Sequence, residues 1–160
     1  MPHHIFIGNA EPIYNEEFNE YRWVVKKISH ETAPTFINDE LTGKSNYRSP
    51  SFCGWSDFIN ESGLIDLVNE QEGPFTHWGC KKINKEHLVI VKNALREWSI
   101  SHDLPAGFHE DKDFVFDEET DEWEMPEDQK YDWILARLIW LEYWMEWAIN
   151  NCENPALYNN

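Results

Sequence analysis

Residues 84–101 carry the clearest periodic pattern in the chain, because their apolar side chains recur at helical spacing. Leu88, Val91 and Leu95 lie three or four residues apart and therefore share one face. Asn84 precedes them, and its short polar side chain is a good helix cap. The pattern predicts an amphipathic helix over residues 84–101.

A longer helix is predicted near the end of the chain, from about residue 127 to 151. Pro126 suits the first helical position, where a missing backbone N–H costs nothing. One face of this helix is aliphatic, and a second face turned by roughly 100° carries tryptophans. Together the two faces cover more than half of the helix circumference, which is too wide an apolar surface for a helix that packs on one core. The helix therefore either lies at the centre of the domain or contacts a partner with its second face. The tryptophans are Trp133, Trp140, Trp144 and Trp147.

Earlier segments give weaker patterns. Residues 4–7 are short and apolar and predict an edge strand. Residues 15–29 fit a helical stripe, although Trp23 and Val25 would also suit a strand, and we favour the helix. Apolar residues on both sides of an acidic turn predict a hairpin at about 110–126.

These elements predict a single domain over residues 1–160 of the α+β class. The fold is expected to be mainly helical, with the long C-terminal helix packed against shorter helices and a small acidic β-hairpin at one side. A chain of this length buries enough apolar surface to fold without disulfides or metal.

Charge is distributed unevenly along the chain, whose formal net charge is −17. Residues 1–109 hold ten Lys or Arg against fifteen Asp or Glu, whereas residues 110–160 hold three against fifteen. Such a field repels nucleic acid and anionic lipid and attracts basic proteins. We therefore expect no direct binding of nucleic acid, and a basic protein surface as the partner.

The cellular context follows from what the sequence lacks. Three cysteines without framework spacing are typical of a reducing compartment. The first residues do not resemble a signal peptide, and the most apolar stretch carries Arg137, Glu142 and Glu146. We expect a cytoplasmic protein that does not enter a membrane.

The densest acid run is the first candidate site. From Glu110 to Asp132 there are twelve carboxylates and two lysines. Two interpretations stay open: a strip that docks a basic protein and imitates a phosphate backbone, or a solvated turn that keeps the protein soluble. Trp144 and Trp147 would add apolar anchors to the strip, and a homodimer through their helix is an alternative. The acids proposed to dock are Asp111, Asp113, Asp117, Glu118, Glu119, Asp121 and Glu122.

A lysine cluster at the start of the 84–101 helix is the alternative site. Backbone N–H groups at a helix N-terminus favour an anion, so a phosphorylated ligand or nucleotide could bind there. Tryptophans beside the cluster could stack a base. The predicted ligand-binding residues are Arg48, Trp55, Trp78, Lys81, Lys82, Asn84 and Lys85.

Enzyme chemistry finds little support in the sequence. His77 and Cys80 have the spacing of half a zinc site, but no second pair follows. Glu86 and His87 lack the second histidine of a zinc-protease motif, and no glycine pattern for a nucleotide cofactor occurs. The sequence therefore favours a non-catalytic protein without a cofactor or metal.

Two stretches carry a resemblance: SPSFCGWSDF at residues 49–58, and the run that begins YDWILARLIW at Tyr131. They resemble short acidic accessory proteins of tailed bacteriophages and related mobile elements, over about a quarter of the chain. The resemblance carries no site residues. It implies a protein that binds and blocks a host machine, including defence systems, in the host cytoplasm.

Overall fold

A curled antiparallel sheet that forms half of a barrel organises the fold. It is described from a computed structural model for residues 4–39, 43–48, 52–69 and 79–160. Its strands are β1 (Ile5–Asn15), β2 (Glu20–Val25), β3 (Tyr47–Arg48), β4 (Gly79–Lys82) and β7 (Pro155–Asn159), whereas β5 (Val115–Asp117) and β6 (Glu122–Glu124) form a separate two-stranded sheet. The order is β2-β1-β7-β4, and β3 also pairs with β1. β1 is paired on both sides, so the edge strand predicted at residues 4–7 is instead the start of a central strand.

Helices account for 36% of the structure and strands for 29%, so the prediction of a mainly helical fold is wrong. Four helices are present in the described part of the chain: α1 (Phe52–Ser62), α2 (Asp66–Asn69), α3 (Lys85–Ser101) and α4 (Trp133–Asn151). None of these described helices is both long enough and apolar enough to span a bilayer.

The helix favoured for residues 15–29 is also wrong, because β1 and β2 form a hairpin there. In its turn, the Asn15 side chain accepts hydrogen bonds from the backbone amides of Glu17 and Phe18. Asn19 follows with a φ of 50°, a left-handed conformation that asparagine tolerates better than most residues. The β-branched and aromatic residues of β2 favour a strand once β1 supplies its pairing partner.

α4 lies at the centre of the hydrophobic core. Its buried residues cover more than half of the helix circumference, and the sheet residues Ile5, Ile7 and Leu157 belong to the same cluster. The helix is therefore central, which is one of the two positions that its sequence pattern allowed. A homodimer through the tryptophan face loses its basis, because Trp140 and Trp144 are buried within the chain.

The start of α4 differs from the prediction. The helix begins at Trp133, and Asp132 rather than a residue near Pro126 is its cap. One carboxylate oxygen of Asp132 accepts the backbone N–H of Leu135 at 2.8 Å, and the other accepts the indole N–H of Trp98 at 2.6 Å. This second bond ties the start of α4 to the end of α3, which local sequence could not reveal.

The predicted helix at residues 84–101 is confirmed. Asn84 caps α3, and its side chain accepts the backbone N–H of His87 at 2.9 Å. The His87 ring in return accepts the backbone N–H of Asn84 at 3.2 Å. This reciprocal arrangement is a capping box, which satisfies two amides of the helix start.

Candidate functional site

Within the acidic segment, β5 (Val115–Asp117) pairs with β6 (Glu122–Glu124) in a two-stranded antiparallel sheet. We call residues 115–124 the acid–aromatic hairpin. In its turn, the Asp117 carboxylate accepts the backbone N–H of Glu119 at 2.8 Å, and this bond lowers the pKa of Asp117. Asp121 has a φ of 58°, which closes the turn. Asp117 therefore holds the turn in addition to carrying charge.

The hairpin exposes large apolar side chains among its acids. Val115 is 60% exposed, Phe116 41% and Trp123 68%. Phe116 and Trp123 are directly paired across the strands, and their rings meet edge to face at 5.3 Å. Directly paired residues lie on the same face of a sheet, so these rings form one aromatic surface.

The predicted docking acids are largely gathered on this hairpin. Glu118, Glu119, Asp121 and Glu122 are exposed, in or beside its turn. Asp113 lies just before the hairpin, where its side chain accepts the backbone N–H of Glu110. The side chain of Asp111 lies outside the described part of the structure.

Trp144 does not join this surface, which corrects its assignment as an anchor. Trp144 is 0% exposed and belongs to the hydrophobic core. Trp147 packs against the same core, and its ring meets those of Trp144 and His30. Their positions near the end of α4 suggested exposure, but the sheet covers that end of the helix.

The structure does not bring all of the predicted lysine-site residues to one surface. The Asn84 cap uses its side chain and backbone N–H in its own capping box, and Trp55 is buried in the core. Lys81 and Lys82 lie on β4, paired with β7, and Lys85 begins α3. Trp78 lies outside the described residues.

Arg48, also predicted for that site, is instead an internal residue. Its guanidinium lies 3.5 Å from the Asp39 carboxylate, and both side chains are buried. The guanidinium also lies over the rings of Phe108, at 4.8 Å, and Trp140, at 5.4 Å. Burial lowers the pKa of Arg48 to about 10, and the Asp39 charge opposes that shift.

An aromatic cleft of about 320 Å³ lies beside the hairpin. It is a feature that the sequence did not predict, because its walls come from the hairpin, from α4 and from the segment between α3 and β5. Trp123 is shared by the hairpin and the cleft. The cleft is lined by Asp57, Phe108, His109, Phe114, Trp123, Met125, Trp133 and Arg137.

Arg137 gives the aromatic cleft a positive group. Its guanidinium lies 4.7 Å from the centre of the Trp133 ring, one helical turn earlier on α4. Burial lowers the pKa of Arg137 to about 9, and the positive charge of Arg48 adds to that effect. The group is still protonated at neutral pH, and the carboxyl of Asp57 lines the same cleft.

The residues considered for catalysis have structural surroundings. His87 is part of the α3 capping box, and His77 lies outside the described residues. Burial raises the pKa of the Cys80 thiol to about 11 and also raises that of Cys152, so neither is an activated thiolate at neutral pH. Among the described residues, no group of three or more His, Cys, Asp or Glu is placed to hold a metal ion.

A second exposed aromatic surface was missed because residues 15–29 were assigned to a helix. Tyr14, Phe18, Tyr21 and Trp23 are all exposed on the β1–β2 hairpin. Tyr14 and Tyr21 are cross-strand partners whose rings meet at 5.2 Å. The signal available in the sequence was the strand propensity of Trp23, Val24 and Val25.

Comparison of the chain with protein-family models, with curated proteins and with solved structures found no match.

Proposed function

We propose that this is a non-catalytic binding protein whose acid–aromatic hairpin docks a basic surface of another protein. The observation that carries the proposal is the exposure of Phe116 and Trp123 as a directly paired aromatic surface beside an acidic turn. A turn that served only solubility would need the carboxylates and not the exposed rings. Each ring is covered in part by the other, and the rest of its surface is exposed apolar area that a partner can bury.

The two kinds of side chain have separate roles in this proposal. Carboxylates attract a basic partner over a distance and increase the association rate more than the final affinity. Trp123 would supply the affinity, because tryptophan is enriched among the residues that dominate binding energy. The combination therefore favours a specific protein partner over a diffuse counterion cloud.

The partner we propose is a host protein whose basic surface normally holds nucleic acid. A run of exposed carboxylates presents negative charge at close intervals, as a phosphate backbone does, and would compete for the same lysines and arginines. The resemblance to phage accessory proteins supports this context, in which blocking a host defence or nucleic-acid machine is a common activity.

The first test is a pull-down from bacterial lysate with the tagged protein, washed at rising salt. A stoichiometric partner that elutes as salt rises is expected, since exposed charge pairs are screened at high ionic strength. The isolated partner must then bind the protein in a purified system. The absence of any salt-sensitive partner would contradict the proposal.

Reversing the charge of Glu118, Glu119 and Glu122 to lysine is expected to slow association with that partner by about 10–100-fold at low salt. The salt dependence of the association rate should also become flatter. Asp117 and Asp121 are kept because they shape the turn. Surface plasmon resonance at several salt concentrations measures both effects.

The matched control reverses three exposed acids elsewhere, Glu31, Glu97 and Glu153, and therefore changes the net charge equally. If this control slows association as much as the hairpin variant, the effect belongs to net charge and the hairpin is not the docking site.

Replacing Trp123 with alanine is expected to weaken binding by at least about 2 kcal/mol, or roughly 30-fold. The loss should appear mainly as faster dissociation, since contact residues act chiefly on that rate. Trp23→Ala is the control, because Trp23 is also an exposed tryptophan on a hairpin, at 52%. Equal losses for the two variants would contradict a specific role for the acid–aromatic hairpin.

A further inference from the structure

A second cleft, also of about 320 Å³, adjoins the aromatic cleft. The two clefts share Asp57, Met125 and Trp133 as lining residues. The aromatic cleft in turn shares Trp123 with the acid–aromatic hairpin. The proposed docking surface therefore continues from the hairpin, through the aromatic cleft, into a hollow that is large enough for a long side chain.

Five apolar side chains line the second cleft. They are Trp98, Leu104, Met125, Trp133 and Ile134. Leu104 is 37% exposed, so part of this apolar surface is open to solvent. The aliphatic stem of a long charged side chain can bury its methylene groups against such walls while its charged end stays at the rim.

Four carboxylates line the same hollow, which we call the acidic cleft: Asp57, Glu61, Asp103 and Asp132. Asp57 and Glu61 lie one turn apart on α1, and like charges at that spacing repel each other. The side chains of Asp57, Glu61 and Asp103 are exposed, and none of them has an ion pair or hydrogen bond within the described part of the chain. A cation between them would relieve the repulsion.

The other described lining residues do not cancel this negative charge. Gln129 is neutral, and His102 is stacked on the Trp98 ring at 3.6 Å. Arg137 lines the aromatic cleft and not the acidic cleft. If His102 were protonated and Arg137 were counted as well, the carboxylates would still be in excess by four to two. The acidic cleft is therefore complementary to a cation.

We propose that the acidic cleft receives an arginine side chain of the basic protein that the hairpin docks, an inference that rests on the function proposed above. The aliphatic stem lies against the apolar walls, and the guanidinium meets Asp57 and Glu61. A guanidinium carries its N–H donors in a planar fork, so it can bond to two carboxylates at once. A lysine ammonium is more strongly hydrated and lacks this fork. Arginine is also enriched among the residues that dominate binding energy.

The test is an NMR titration of the isolated, nitrogen-15-labelled protein with the N-acetyl amides of arginine, citrulline and lysine. Citrulline keeps the shape of arginine without its charge, and lysine keeps the charge without the planar fork. The reporter is the indole N–H of Trp98, which donates to Asp132 beside the cleft. We expect the arginine derivative to shift this signal saturably, binding at least about tenfold more tightly than the citrulline derivative and about threefold more tightly than the lysine derivative.

No saturable shift with the arginine derivative at millimolar concentration, or equal binding of the citrulline derivative, would overturn the proposal. Equal binding of the lysine derivative would overturn the assignment to arginine, because the cleft would then respond to charge alone.

The double variant Asp57→Asn with Glu61→Gln is expected to weaken binding of the arginine derivative at least about tenfold. Both side chains are exposed, so the variant should fold as the parent does. The matched control is Glu16→Gln with Glu17→Gln, which removes two exposed acids from the β1–β2 turn and changes the net charge equally. Equal losses for the two double variants would assign the attraction to net charge and overturn the site.

The titration uses no protein partner, so its result is separate from that of the docking proposal. Binding of the arginine derivative without any salt-sensitive partner in the lysate would contradict the docking proposal and leave the cleft as a guanidinium site. A salt-sensitive partner whose affinity is unchanged by Asp57→Asn with Glu61→Gln would support the hairpin and overturn the role of the acidic cleft.

Discussion

Replacing Asp39 with alanine is expected to lower the free energy of unfolding by about 3–5 kcal/mol. The Asp39 carboxylate lies 3.5 Å from the Arg48 guanidinium, and the two side chains are only 3% and 7% exposed. Without Asp39, the buried charge of Arg48 loses the carboxylate 3.5 Å away and stays close enough to Arg137 to lower the pKa of that residue. Urea denaturation followed by tryptophan fluorescence measures the loss.

The matched control is Glu31→Ala, which breaks an exposed ion pair. Glu31 lies 3.1 Å from Lys44, and its side chain is 97% exposed. Exposed pairs contribute about 0–1 kcal/mol, so this variant should unfold almost as the parent does. A loss for Asp39→Ala no larger than that for Glu31→Ala would show that the internal pair does not stabilise the fold.

The second large effect is expected for Trp140→Phe, with a loss of about 2–4 kcal/mol in the free energy of unfolding. The indole N–H of Trp140 donates to the backbone carbonyl of Ser45 at 2.9 Å in the core. Phenylalanine leaves that carbonyl without the indole donor and also leaves space where the second ring of the indole was. Thermal and urea unfolding measure the loss.

Trp144→Phe is the matched comparison, because it removes the same atoms from the same helix. The Trp144 N–H is buried without a hydrogen-bond partner in the described part of the chain, so its removal orphans no acceptor. We expect Trp144→Phe to be less destabilising than Trp140→Phe by about 1–3 kcal/mol. Equal losses would mean that ring volume, and not the bond to Ser45, decides the stability at position 140.

The sequence predicted the elements whose stability is local. α3 has its cap, its capping partner and its apolar stripe within one continuous segment, and the structure has the helix at those residues. The start of α4 was misplaced because its deciding contact, between Trp98 and Asp132, joins residues 34 positions apart. Pro126 suits the first turn of a helix, but its presence gives no information about a contact between distant residues.

The sheet was underestimated for the same physical reason. β1 is held by β7, and that pairing joins Ile5 to Asn159 and Phe6 to Tyr158. The sequence of a strand shows its alternation of apolar and polar residues but does not show which strand it pairs with. Residues 15–29 fit both a helical pattern and a strand pattern. Only the pairing with β1 decides between them.

The candidate site was predictable only in part. Acid density marked the hairpin segment, because charge can be counted along the chain. The exposure of Trp123 and the burial of Trp144 are decided by which elements cover them, and both residues are tryptophans in apolar surroundings. The aromatic cleft gathers residues from position 57 to position 137, so no local motif could predict it.

The position of β7 has a consequence for how the protein is made. β7 lies between β1 and β4, and in the described sheet it is the strand that connects them. At a synthesis rate of about 5–20 residues per second, β1 waits on the order of 10 s before residues 155–159 exist. Throughout that time the β1–β2 hairpin of the nascent chain exposes tyrosines and a tryptophan. They lie beside a strand edge whose backbone groups are not yet paired, and such an edge is a template for aggregation. Completion of the sheet therefore has to wait for the synthesis of β7, and chaperone dependence should be greatest just before it.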